Sequence, residues 1–225
     1  MDGLYEKLDR WLGVLGDHLK SLRVDQHIFW EAQRIIRNNP RIDRPNDFYG
    51  WMARMYSAAS CVEVRKMSDK NRDSISFLKF LEKLKANPSV ISRKRYKEQF
   101  VDSWGDSLVP CYYSERDAEE GFDQMVGKGR QFLDPAFIDG QIETLKSTTS
   151  NLKTFVDKRI AHHDKSTFND LPTFKELDDA IEYLQELLKY YWPLFRGLSM
   201  DSSLPAWLYD WKDVFHFPWI EKRQD

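Results

Sequence analysis

The chain has 225 residues, 41% of them hydrophobic and 31% charged, with a formal net charge of −2. That size and composition specify a folded globular domain with a sizeable core. They exclude a chain drawn to nucleic acid by its overall field, so a polyanion partner needs a local basic patch. Two cysteines, Cys61 and Cys111, exclude a disulfide-rich scaffold and a CxxC metal or redox site.

Leu4, Leu8, Trp11, Leu12, Leu15, Leu19 and Leu22 recur at three- and four-residue steps and predict a first helix with one apolar stripe. Ile28, Phe29, Ala32, Ile35 and Ile36 predict a second helix, ending by Asn38, Asn39 and Pro40. Asn46 or Asp47 can cap a third, with Phe48, Met52, Met55, Ala59 and Val62 facing inward and Cys61 buried among them. The polar stretch from Ser68 to Asp73 ends it. Ile75, Leu78, Leu81 and Leu84 mark a shorter fourth helix, stopped near Pro88.

Between Ser89 and Phe132 the periodicity weakens. Arg93, Lys94, Arg95 and Lys97 surround Tyr96, which supplies the elements of a single-stranded nucleic-acid contact and equally those of a solvated helix face. These four are the candidate RNA-binding residues. Arg65, Lys66, Lys70 and Arg72 form a second basic segment open to the same two readings. Trp104 to Tyr113 mixes Gly, Pro and aromatics and reads as a packed loop, and Glu115 to Met125 as a short helix. Gly127, Lys128, Gly129 and Arg130 lack the Gly-x4-Gly-Lys-Ser/Thr spacing and the preceding strand of a phosphate loop.

Asp134 and Pro135 fit an N-cap and first helical position. The longest regular pattern follows, with Ile138, Ile142, Leu145, Thr149, Leu152, Val156 and Ile160 on one face. Asp164 to Pro172 reads as a polar loop. Thr173 and Glu176 form a capping box, opening a helix with Phe174, Leu177, Ile181, Leu184, Leu188, Tyr191 and Phe195 inward and a break at Ser199 to Ser203. The tail, residues 204–220, carries Trp207, Tyr209, Trp211, Phe215, Phe217 and Trp219. So aromatic a segment is expected to fold back on the bundle rather than stand free. No period-two pattern persists, so the expected fold class is all-α: a single helical domain over residues 1–225 with a long amphipathic helix pair.

The one chemically suggestive constellation is Arg159, His162 and His163, at the end of the longest pattern. Arg159 can reach His162 at i,i+3 and His163 at i,i+4. A histidine can move a proton to or from a ribose hydroxyl or leaving oxygen, and an arginine fork can stabilise phosphoryl charge. The same cations at a helix end also satisfy orphan carbonyls and the macrodipole. Two adjacent histidines and Asp164 offer few ligands from one helix end, so no metal site is expected.

The run Asp157-Lys158-Arg159-Ile160-Ala161-His162 resembles the signature helix of HEPN domains, in particular their abortive-infection-associated, AbiU-like branch. Segments Arg72 to Leu78 and Asp210 to Phe215 are similar in character. The resemblance implies an all-α bundle, commonly dimeric, acting as a metal-independent endoribonuclease without cofactor. It also implies a toxin-antitoxin or defence setting, with an antitoxin or nucleotidyltransferase as partner. Carried over, His162 matches the family's histidine and Asp157 its polar residue, while the arginine position falls on Val156. Arg159, one turn on, is the nearest guanidinium. The candidate catalytic set is therefore Arg159, His162, His163 and Asp157, with cleavage of RNA as one reading. The other is a HEPN-like module that binds RNA, a nucleotide or a protein without cleaving. No run approaches the ~18 apolar residues of a membrane helix and no basic leader precedes an apolar run, so no membrane partner and a cytoplasmic location are expected.

Overall fold

The computed structural model describes residues 2–102, 115–160, 170–200, 204 and 206–217. Among these residues the chain is all α-helical, without a strand. An isolated bridge between Ser92 and Phe132 is the only β pairing described.

Helix α1 runs unbroken over Asp2–Arg37, where two helices were expected. Nothing between Leu22 and Ile28 is a breaker, and Gln26 continues the buried row from Leu19 and Leu22 to Phe29. Helix α2 spans Asp47–Met67, and the Asn46 side chain accepts from the Phe48 N–H as N-cap. Its buried residues are Tyr56, Ser60, Cys61, Val64 and Met67. The inward face expected from Phe48 and Met55 is therefore corrected: these side chains are 45% and 48% exposed, and Trp51 is 49% exposed. Met52 and Val62 of the same period are half-buried, with Val62 packed against the core, so only part of the period faces outward.

Ser76 caps α3 (Phe77–Ala86), whose Leu78, Leu81 and Leu84 are buried as the pattern required, joined by Phe77 and Phe80. A 3-10 turn over Pro88–Val90 leads into α4 (Arg93–Asp102), and α5 covers Glu115–Val126. The glycine-rich turn that follows is held by backbone geometry. Gly127 and Gly129 adopt φ of 110° and 74°, where a side chain is strained, and the Gly129 N–H donates to Asp123.

Asp134 caps α6 (Pro135–Phe155), with Pro135 at the first turn as expected. Helix α7 (Phe174–Arg196) opens on the Thr173–Glu176 capping box and ends on Gly197 at φ 65°. Its inner face buries Leu177, Ile181, Leu184, Leu188, Tyr191 and Phe195. Each such side chain removed from water contributes about 1.5–3 kcal/mol before the entropy of ordering is counted. Phe174, expected inward, is 37% exposed yet stacks on Phe29 at 5.4 Å.

Helix α7 is the axis of the bundle. It runs antiparallel to α1, since Tyr5 stacks on Phe195 and Gln26 donates to Asp178. It is also antiparallel to α6, since Asn151 donates to Glu176 and Tyr183 to the Gln141 carbonyl. Helix α2 packs beside α1 through the Phe29–Tyr56 stack at 4.1 Å, and α3 lies against α6 with Lys85 paired to Asp139. Residues 206–217 meet α1 where Trp207 and Trp211 approach His27 and Lys212 pairs with Glu31 at 3.0 Å. Leu208 and Tyr209 in that segment are 97% and 72% exposed. The expected loop from Trp104 to Tyr113, Cys111 and Trp219 lie outside the described residues. No helix among the described residues is long and apolar enough to cross a membrane.

Candidate functional site

The end of α6 is not a regular α-turn. After Phe155 the chain widens into a π-helical turn over Val156–Ile160, a rare geometry found disproportionately at functional sites. A π turn spends an extra residue per turn, so the wheel at 100° per residue does not carry across it. Val156 remains in the core at 3% exposure. Arg159 is exposed. It makes no ion pair among the described residues. His162 and His163, with Asp164, lie outside the described residues, so the structure places two members of the expected four.

Asp157 has a partner that its own helix does not supply. Arg65, in the last turn of α2, donates its Nε to the Asp157 carboxylate at 2.5 Å, and its Nη1 lies 3.9 Å from Asp69. Side-chain exposures of 32% for Arg65 and 40% for Asp157 put the pair at the rim of the bundle. The α2 end and the π turn therefore form one unit: a carboxylate fixed by a guanidinium, with the Arg159 guanidinium beside it in sequence and open to solvent. Such a rim can bind a phosphate through Arg159 while Arg65 holds the Asp157 carboxylate in place. Sequence reasoning placed Arg65 in a basic segment but not against Asp157, because the two are 92 positions apart.

The second candidate group sits elsewhere, on α4. Arg93 pairs with Asp123 and donates to the Arg130 carbonyl, and its guanidinium lies 4.9 Å from the Phe122 ring centre. Arg95 pairs with Asp2 and covers the Tyr5 ring. Lys97 bridges Glu115 at 2.5 Å and Glu119 at 2.8 Å. These contacts bind α4 to α5 and to the start of α1. They leave their electrostatic mark, since the Arg93 guanidinium and then the Gly129 N–H hold the Asp123 carboxyl below the usual carboxylate range. Glu115 and Glu119 in turn raise Lys97. Lys94 is the solvent-facing member, 87% exposed and 3.8 Å from Glu98.

His18 faces Glu63 at 3.5 Å, and His216 ends an exposed 3-10 turn over Trp211–His216. Among the described residues no group of three His, Cys, Asp or Glu is arranged to hold a metal ion. Cys61 is buried, and burial pushes its thiol up to about 11, which removes it as a nucleophile.

No curated protein and no solved structure matches the chain. The sequence profile of a family described as AbiU2, a HEPN family, matches residues 5–206. That span takes in α1 from Tyr5 onward, α2 to α7, the π turn and the Asp157 to His162 signature. The chain therefore belongs to the AbiU2 family of HEPN proteins, an abortive-infection branch of this helical fold.

Proposed function

We propose that this chain is an abortive-infection protein that acts on RNA as a metal-independent endoribonuclease. The observation that carries the reading is the solvent-facing Arg159 on the π turn, beside an Asp157 held in place by Arg65. In this reading His162 takes the proton of a ribose 2′-hydroxyl or returns one to the leaving oxygen, with His163 assisting. The 2′-oxygen attacks the adjacent phosphorus, the bond to the 5′-oxygen breaks, and that oxygen leaves protonated. Arg159 stabilises the charge that builds on the phosphoryl oxygens. Asp157, the polar residue of the signature, is oriented by Arg65, and Lys94 offers a further contact to the RNA backbone.

A second reading, binding of RNA, a nucleotide or a protein without cleavage, is favoured by one observation. Val156, at the position where the resemblance puts the family's arginine, is buried and apolar. Both readings include a homodimer, supported by the outward apolar side of α2 with Trp51 and Met55 half exposed. Both also include an antitoxin or nucleotidyltransferase as partner.

Incubation of the purified chain and its His162→Ala variant with total RNA in EDTA separates the two. Cleavage by the wild type and its loss in the variant is the expected result. If neither protein cleaves, or both cleave equally, the nuclease reading fails. A retained shift of RNA on a native gel then points to the binding module.

A further inference from the structure

The four cations of α4 are each paired with carboxylates. One group is different. Around the half-buried Trp11 of α1, the Nζ atoms of Lys7, Lys79 and Lys83 lie 5.2, 5.5 and 5.7 Å from the ring centre. Two come from α3 and one from α1, and none of the three makes an ion pair among the described residues. Glu6 and Glu82, the carboxylates beside them in sequence, pair with none of them. Three ammonium groups converging on one ring repel each other, and the ring quadrupole offsets only part of that cost. An anion bound between them relieves the rest.

We propose that Lys7 and Lys83, with Lys79 fixed between α3 and the loop before it, form a phosphate-binding patch for an RNA strand that leads to the α2–α6 rim. The proposal rests on the RNA-directed reading above and names where the substrate backbone lies. Lys79 has a distinct part. Its Nζ donates to the carbonyls of Asn71 at 2.9 Å, Arg72 at 2.6 Å and Ser74 at 2.5 Å. Neutral carbonyls fix that charge without cancelling it, and they pin the α2–α3 connection against the patch. The pinned loop carries Arg72 and Lys70, both exposed and without an ion pair among the described residues. It begins where α2 ends, and the last turn of α2 holds Arg65 against Asp157. The connection from α2 to α3 thus joins the helix of Lys79 and Lys83 to the helix end that holds Asp157, with Lys70 and Arg72 between them in sequence. Several cations on an open surface beside an aromatic ring suit the repeated charges of a single strand, whereas a single small anion needs a single pocket.

The test uses the full chain, a Lys7→Gln/Lys83→Gln variant, and a labelled single-stranded RNA followed by fluorescence anisotropy across a salt series. Lys79 is left intact because it holds the loop. With about 0.7 in log–log salt slope for each lost phosphate contact on a single strand, the variant's slope is shallower by about 1.4, and its affinity at 0.1 M salt falls about 25-fold. Its melting temperature stays equal to the wild type's or rises, since repulsion has been removed. If the wild type binds RNA and the variant keeps the same slope, the patch is wrong while the RNA-directed reading stands. If the wild type shows no salt-dependent RNA binding, both fall. Lysine-dependent binding to anionic phosphatidylserine vesicles in place of RNA overturns the proposal too.

Discussion

Arg65 and Asp157 are the pair on which the candidate rim is built, and their energetics are modest. Both side chains are about a third exposed or more, so solvent screens their attraction, and pairs of this kind contribute about 0.2–1 kcal/mol. A double-mutant cycle of Arg65→Ala and Asp157→Ala in urea unfolding is expected to return a coupling energy of that size. Strictly additive effects would mean that the pair adds nothing to stability. The cycle matters because no local spacing reveals this contact. Asp157 and Arg159 were legible as candidates from the residues around them, since a signature helix is a local pattern. Arg65 was not, because its part depends on how α2 crosses the end of α6. The exposure of Arg159 was also illegible, since the π turn shifts the register that a uniform helical wheel assumes.

Helices read well wherever a cap and a period agreed. The Thr173–Glu176 box is present with both reciprocal bonds, and losing its hydroxyl through Thr173→Ala is expected to cost about 1 kcal/mol. The box also carries a pH signature. The Thr173 backbone N–H, then Asn151, hold the Glu176 carboxyl below its ordinary 4.5. A depressed folded-state value contributes stability above the unfolded value, which is lost as pH falls through the folded one. Urea unfolding at neutral pH and again below 4.5 therefore shows a smaller acid loss for Glu176→Gln than for the wild type. Equal losses would contradict the linkage. Period without a stop signal misled in one place, where α1 was divided although no Gly or Pro interrupts it between Leu22 and Ile28. On α2 the period identified residues that share a side, and burial of the opposite side shows that sharing a side does not say what covers it.

At the scale of the molecule, α7 sits within α1, α2 and α6, and the core is complete without the outer side of α2. Trp51 and Met55 on that side are about half exposed, and Phe48 stacks on Trp51 at 5.6 Å. Large apolar side chains grouped on a surface mark a contact with another molecule more often than an accident of folding. A two-fold pairing needs one self-complementary patch, and a helix side of this kind supplies it. The homodimer of the proposed function is then tested by Trp51→Glu/Met55→Glu in sedimentation. The wild type is expected to sediment as a dimer and the double variant as a folded monomer. Because both side chains already face water in a single chain, the substitutions remove little packing, so the monomer's circular dichroism should match the wild type's. A wild type that sediments as a monomer, or a variant that remains a dimer, would place the subunit contact elsewhere and leave the α2 side for a different partner.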